Sequence, residues 1–369
     1  MYGPWAEIHL GRLKANFLGL SELVGGAKVL AVVKADGYGH GIVPVARALA
    51  EAGVYGFAVV LLQEALVLRE AGLEQPILHM GRLDPDTVDL YSRHNIRLSL
   101  HTLEDIELLA KRQAAGGPEV ITHLKVDTGM GRLGVPYEDA VTALEAIKLH
   151  SGFPLEGIFT HFATADEADQ SYLRYQLTRF SQFVHLVRKL GLDVEYFHAA
   201  NSAAIVRESG SHFNMVRPGL LLYGATPSVN VQPPFEPLPV MDLMAPLVLK
   251  RDLKRGTPVG YGREYHAPKK TRTGVLQIGY ADGLPIALSG KGFAGLNGKV
   301  YPLIGRMSMD MCNIGLEMDD PRDGTQAQLW GQADDPRLRV ENQARLAGTN
   351  PYELLVRIGG RVERKYVED

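Results

Sequence analysis

The chain has 369 residues with 39 Lys plus Arg against 42 Asp plus Glu, a formal net charge of −3. That balance excludes strong electrostatic attraction to nucleic acid or to an anionic membrane, and the length points to two domains. The single cysteine, Cys312, excludes an intrachain disulfide and a cysteine-based zinc site, which fits a reducing cytoplasm.

In chain order, short apolar runs alternate with segments of helical period through the first 225 residues. Strands are predicted at Lys28–Lys34, Gly56–Val60, Pro76–Met80, Ile96–Leu100, Ile121–Asp127, Glu156–Phe162, Val194–Ala199 and Leu220–Gly224. Helices are expected between them, for example over Val43–Ala50 and over Leu173–Leu190, where Leu173, Leu177, Phe180, Val184 and Val187 recur at three and four residues. Eight strand–helix units of this size predict an α/β fold with an N-terminal (β/α)8 TIM-type barrel. The stretch Pro227–Pro239 holds five prolines in thirteen positions and reads as an extended connector. Ala245–Leu253, Thr271–Tyr280, Lys299–Ile304, Met311–Leu316 and Gln326–Trp330 then suggest a mainly β C-terminal domain, and Tyr352–Val367 suits either a helix end or an edge strand. The expected division is 8–230 for the barrel and 1–7 plus 231–369 for the β domain. No stretch of 18 apolar residues and no basic-then-apolar leader occurs, so neither a membrane span nor a signal peptide is expected.

Polar residues gather at the ends of the barrel runs: Lys34, His101, Lys125 with Asp127, His161, His198 with Asn201, and Arg217. A single histidine at a strand end is ordinarily structural, but several polar ends converging on one barrel rim point to an active site. Lys34 ends a run that reads as buried on both faces, so it is either a lysine snorkelling outward or a Schiff-base lysine with a depressed pKa. The closest pair among the twelve histidines, His94 and His101, is seven residues apart, and no metal site is expected.

AVVKADGYGHG (31–41), KVDTGMGRLGV (125–135), THFATADE (160–167), HAANSAA (198–204), RPGLLLYG (217–224), VGYGREY (259–265), GYADG (279–283) and GRMSMDM (305–311) together resemble bacterial alanine racemase, in order and over nearly the whole chain. The resemblance implies pyridoxal 5′-phosphate (PLP) carried on Lys34, with Tyr38, Asn201, Ser202, Gly219 and Leu220 around its phosphate. It implies Arg217 at the pyridine nitrogen and Lys34 and Tyr261 as the two acid/base groups. His161 supports Tyr261, and Arg132 and Met309 contact the substrate carboxylate. Lys125 is a candidate for carbamylation. Tyr261 and Met309 belong to the partner's site, so a homodimer is implied, working on a small amino acid and supplying D-alanine for the cell wall. From the residues alone, Asn201-Ser202 could be only a helix cap, Arg217 a rim salt-bridge residue and Tyr261 a packing aromatic. A broader small amino-acid racemase, a non-catalytic PLP-binding protein and a decarboxylase using Cys312 are the alternatives. The chain departs from the family pattern at Ile286, where a charged residue is usual, and at Gly360, where a tyrosine is common. A wider pocket mouth is expected unless Tyr366 or Tyr265 fills it.

Overall fold

The computed structural model describes residues 3–150 and 153–368, so residues 1 and 2 of the predicted 1–7 segment lie outside it. The chain begins with β1 (Trp5–His9) and a helix over Leu10–Val24, elements that the periodicity did not reveal. Then come β2 (Lys28–Val32), β3 (Gly56–Val59), β4 (Ile77–His79), β5 (Ile96–Leu100), β6 (Thr122–Asp127), β7 (Leu155–Phe159), β8 (Tyr196–Asn201) and β9 (Met215–Arg217). Each pairs in parallel with the next, and β9 closes on β2, so among the described residues eight strands form a ring. This is the (β/α)8 architecture expected from the alternation.

The helices cover the ring with apolar stripes. The helix Ser171–Lys189 buries Leu173, Phe180, Phe183, Val184 and Val187, the three- and four-residue spacing seen in the sequence. At Leu103–Ala114, Thr102 and Asp105 form a reciprocal capping box.

The eighth strand is a correction. Leu220–Gly224 was expected to form it, but β9 is Met215–Arg217, and Leu220–Tyr223 is a buried 3-10 turn. Pro218 has no N–H to continue the ladder, and a short apolar run is equally compatible with either state. The strand therefore ends on Arg217 rather than running past it, which leaves that side chain at the rim.

Past the connector lie β10 (Met241–Leu253), β11 (Thr271–Leu276), β12 (Phe293–Leu296), β13 (Lys299–Ile304), β14 (Cys312–Glu317), β15 (Gln326–Trp330) and β16 (Glu363–Val367). The thirteen-residue β10 shifts register between Leu247 and Leu249, pairing antiparallel with β1 and β15 in one half and with β11 in the other. β1 joins this sheet and pairs in parallel with β16. The ambiguous C-terminal stretch resolves into a helix over Pro351–Val356 and β16. Asp242 on β10 accepts from Arg12 at 3.2 Å and lies 3.1 Å from His9 Nε2, tying the sheet to the start of the first helix. Among the described residues no helix is long and apolar enough to cross a membrane.

Candidate active site

The chain leaves β2 through an unusual turn. Ala35, Asp36, Gly37 and Tyr38 have φ of 52°, 54°, 60° and 53°, a left-handed run in which three residues carry a Cβ. Each such residue costs roughly 1–2 kcal/mol, so surrounding bonds must hold the turn. Glu64 accepts from the backbone of Ala35, Val60 and Leu61, and Asp36 accepts from Ile42 N–H at 2.8 Å. The turn carries Lys34, half-buried, into the barrel mouth. Burial, then the neighbouring Arg132 charge, lowers the Lys34 pKa.

A cavity of about 570 Å³ occupies this mouth. Lys34, Tyr38, Lys125, Arg132, His161, Asn201, Ser202, Arg217, Gly219 and Leu220 all line it, each a residue singled out in the sequence. Tyr261 and Met309 do not. They sit on the β domain at 67% and 51% exposure. Their loops are nevertheless tightly specified: a Cβ on Gly260 would lie 2.6 Å from the Arg306 carbonyl oxygen, and one on Gly279 would lie 2.3 Å from that of Met309. His101 also stays out of the wall, its Nε2 bonded to the Gly81 carbonyl at 2.9 Å.

One end of the cavity is a set of neutral donors. Tyr38 stacks on Tyr223 at 4.8 Å, and burial raises its pKa, so the hydroxyl keeps its proton. That hydroxyl lies 2.5 Å from where a Gly219 Cβ would be, so only glycine leaves room there. Ser202 Oγ accepts from the N–H of Gly219 at 2.9 Å and of Leu221 at 3.4 Å. Asn201 both lines the cavity and caps the short helix Ser202–Arg207 through its bond from Ala204 N–H at 3.0 Å. A small anion suits this group of hydroxyls and amides.

The floor is cationic. Arg217, 3% exposed, donates to His198 Nδ1 at 2.9 Å and to the carbonyls of Thr160 and Ala199 at 2.6 and 3.1 Å. It also reaches His161 Nδ1 at 3.4 Å, and burial lowers its pKa to about 9. His161 is held well below the usual imidazole range by burial and then by Arg217, so it is neutral. Lys125 is brought down to about 8 by burial, with Arg132 and Arg217 adding to the effect, and among the described residues it makes no ion pair. Asp127, its strand neighbour, is engaged by the backbone N–H groups of Gly129, Met130 and Gly131, which clamps the loop leading to Arg132.

Several wall residues went unnoticed in the sequence: Val60, Met80, Leu133, Phe159, Tyr352 and Val356. Tyr352 and Val356 come from the Pro351–Val356 helix and its edge, and nothing in their local pattern marks them as cavity residues. They bear on Gly360, which is exposed, has open space at its Cβ and lies outside the wall. The neighbours expected to compensate do not: the Tyr366 hydroxyl packs on Gly41, and Tyr265 pairs with Val259. An aromatic from Tyr352 stands in the wall instead.

A lysine with a lowered pKa, a group of hydroxyls and amides suited to an anion and a buried arginine share one barrel mouth, the kind of site at which an enzyme can capture a small charged ligand through an amine. The sequence carries the finer assignment. The family descriptions "Alanine racemase, N-terminal domain" and "Alanine racemase, C-terminal domain" match residues 8–227 and 240–366. The alanine racemase of Desulforamulus reducens is 39% identical over 367 residues, 98% of each chain, and that of Carboxydothermus hydrogenoformans is 38% identical over 98% of this chain and 99% of its own. Among solved structures, alanine racemase from Streptomyces coelicolor A3(2) superposes with a TM-score of 0.93 at 37% identity, covering 100% of this chain and 98% of that one. The enzyme from Bacillus anthracis with bound L-Ala-P gives 0.91 at 33%, covering 100% and 96%. The chain belongs to the alanine racemase family.

Proposed function

We propose that this enzyme interconverts L- and D-alanine with PLP as cofactor, as a cytoplasmic homodimer whose product serves cell-wall synthesis. The observation that carries the reading is the convergence on one cavity of Lys34, the Tyr38–Ser202–Gly219 donors and Arg217. The donor set fits PLP: hydroxyls and amides for a phosphate, an amine for an aldehyde, and a permanent cation where a ring nitrogen accepts. When bound, PLP would supply a carbonyl carbon for covalent capture of an amine and an electron-withdrawing ring that acidifies the substrate Cα–H.

The chain's own residues do the rest. Lys34, whose pKa is lowered by burial and by Arg132, is assigned to proton exchange on one face of Cα. Arg217 can only donate, so a ring nitrogen facing it would have to accept and would stay unprotonated, which would weaken electron withdrawal by the ring and favour return of the proton to Cα. Racemisation needs a second base on the opposite face, and we assign it to the partner's copy of Tyr261, in keeping with its exposure outside its own cavity. His161, whose Nδ1 faces Arg217, keeps its proton on Nε2 and can donate it to a phenolate. Met309 and Arg132 are assigned to the substrate carboxylate. The working division is a barrel over 8–230 and a β domain over 1–7 plus 231–369 that completes the partner's site.

Conversion of pure L-alanine to the racemate, with the cofactor reducible onto protein by borohydride, tests this reading. Retention of the L form by cofactor-loaded protein sinks it and favours a PLP carrier. The decarboxylase alternative loses its nucleophile, since burial pushes the Cys312 thiol up to about 12 and leaves it 1% exposed.

Lys125, crowded by Arg132, Arg217 and Lys34, is assigned as a carbamylation site. Its neutral amine adds CO2, losing one proton, and becomes an anion among cations. A carbamate resonance from 13C-labelled CO2, absent in Lys125→Ala, is the expected observation; equal signals in both proteins refute it.

Substrate breadth gives a further expected result. With glycine at 360, L-serine turnover should be measurable beside L-alanine, and Gly360→Tyr should lower the serine-to-alanine ratio of kcat/KM by about tenfold. The added side chain meets no atom within 4 Å at its Cβ, so the variant should fold. An unchanged ratio means that Tyr352 already closes the mouth.

A further inference from the structure

Behind Arg217 a line of polar side chains crosses the barrel, where branched aliphatics ordinarily fill the space. Arg217 Nη1 lies 2.9 Å from His198 Nδ1. His198 Nε2 lies 2.8 Å from His123 Nδ1, and His123 Nε2 lies 2.9 Å from Glu156 Oε2. His198 is 0% and His123 2% exposed, so water does not take over these bonds. The rings are fixed in place: His198 stacks on Phe159 at 4.8 Å, and a Cβ on Gly157 would lie 2.4 Å from His123 Nδ1. Glycine at 157 is what lets the second ring in.

The direction of every bond follows from the two ends. A guanidinium only donates, so His198 Nδ1 accepts. The neutral ring then carries its proton on Nε2 and gives it to His123 Nδ1, which leaves His123 protonated on Nε2, facing a carboxylate that only accepts. Reversing the chain would set N–H against N–H at Arg217. Charging His123 would make it donate from both nitrogens and force His198 to accept on both, as an imidazolate. Burial lowers the pKa of both rings, in agreement with neutral imidazoles.

We propose that Glu156 is a positioning residue for the reaction, the acceptor end of a one-way chain Arg217→His198→His123→Glu156 that fixes both imidazoles as neutral rings protonated on Nε2. Its bearing on catalysis rests on the placing of Arg217 at the cofactor nitrogen. Among the described residues no carboxylate touches Arg217, so its charge is answered through two polarised rings by Glu156, which Arg97 holds with two bonds of 3.2 Å. The chain also keeps both imidazole protons on the side away from the cavity. No ring proton stands next to Arg217, and so none can be passed towards the cofactor nitrogen.

The first measurement is 15N NMR of histidine-labelled, cofactor-free native protein at neutral pH, with signals assigned by single substitution. The expected result is that both rings are neutral with protons on Nε2; a proton on Nδ1 of either ring, or a doubly protonated His123, overturns the chain. The second measurement uses holoenzyme. Glu156→Gln, which keeps an acceptor and removes the charge, should lower kcat for alanine about tenfold with KM little changed, as for other outer partners of a functional group. Glu156→Asp should recover part of that loss. Native kcat in Glu156→Gln, or equal loss in both variants, overturns the positioning role. The NMR result does not depend on turnover, so absence of racemase activity would remove the proposed function and leave the hydrogen-bond chain standing.

Discussion

Lys34→Ala is expected to abolish racemisation in both directions, lowering kcat by at least about 10³-fold, and to leave PLP held only noncovalently. The magnitude follows from two roles lost together: the amine that captures the cofactor and the group that exchanges the Cα proton. The structure places that amine on a left-handed turn clamped by Glu64 and Asp36, which aims it into the cavity and which no other lysine shares. Lys125 is the nearest substitute, but it is buried on β6 over the Phe159 ring and belongs to a different wall. Folding should survive. Removing Lys34 relieves repulsion from Arg132 and Lys125, and Glu64, the carboxylate that attracts it, still accepts from three backbone N–H groups. Borohydride treatment of the variant should therefore give folded protein from which all the cofactor dialyses away. Native turnover, or cofactor still reduced onto protein, would falsify the assignment.

Tyr261→Phe should split the two half-reactions. Lys34 is assigned to the D side and Tyr261 to the L side, because inversion requires proton donors on opposite faces of Cα. Single-turnover exchange of the Cα proton for deuterium should fall by about 10²–10⁴-fold from L-alanine and far less from D-alanine. Equal loss from both enantiomers refutes the assignment, with allowance for residues that act as a unit. The same variant also tests where the tyrosine acts. Mixed dimers of Lys34→Ala and Tyr261→Phe chains contain one site with both residues intact, so a random mixture should recover about a quarter of native activity if the site is shared across a two-fold axis. No recovery would mean that Tyr261 serves its own chain's cavity, which its exposure at 67% does not support.

The candidate site was legible where chemistry and local order coincide. Lys34, Lys125 and Asn201 stand at or just past the ends of predicted runs, and a parallel barrel gathers such ends on one rim because every strand points the same way; Arg217 precedes the predicted Leu220–Gly224 run, and the structure makes it the end of β9. Where the pattern misled, the cause is also local. Leu220–Tyr223 is apolar enough for a strand, yet Pro218 stops the ladder and the run packs as a 3-10 turn. Glycine density in DGYGHG marks a turn near a ligand, but not that Ala35, Asp36 and Tyr38 would adopt left-handed angles with it. That conformation is unfavourable for each residue alone and exists because Glu64, nearly thirty residues away, is there to hold it.

By itself, the sequence determined the alternation that makes the barrel, the β-rich second half, the small net charge of −3 and the residue types that can do amine and proton chemistry. These follow from periodicity and side-chain chemistry, which act within a few residues. The tertiary structure alone decided which of those residues meet. It put His123 and Glu156 in line behind Arg217 and Tyr352 in the cavity wall, and it left Tyr261 and Met309 exposed and outside the cavity of their own chain. Those outcomes depend on strand register and on the closure of β9 against β2. A shift of one residue would turn every side chain of a strand to its other face, and no short stretch of sequence encodes which partner strand will lie opposite.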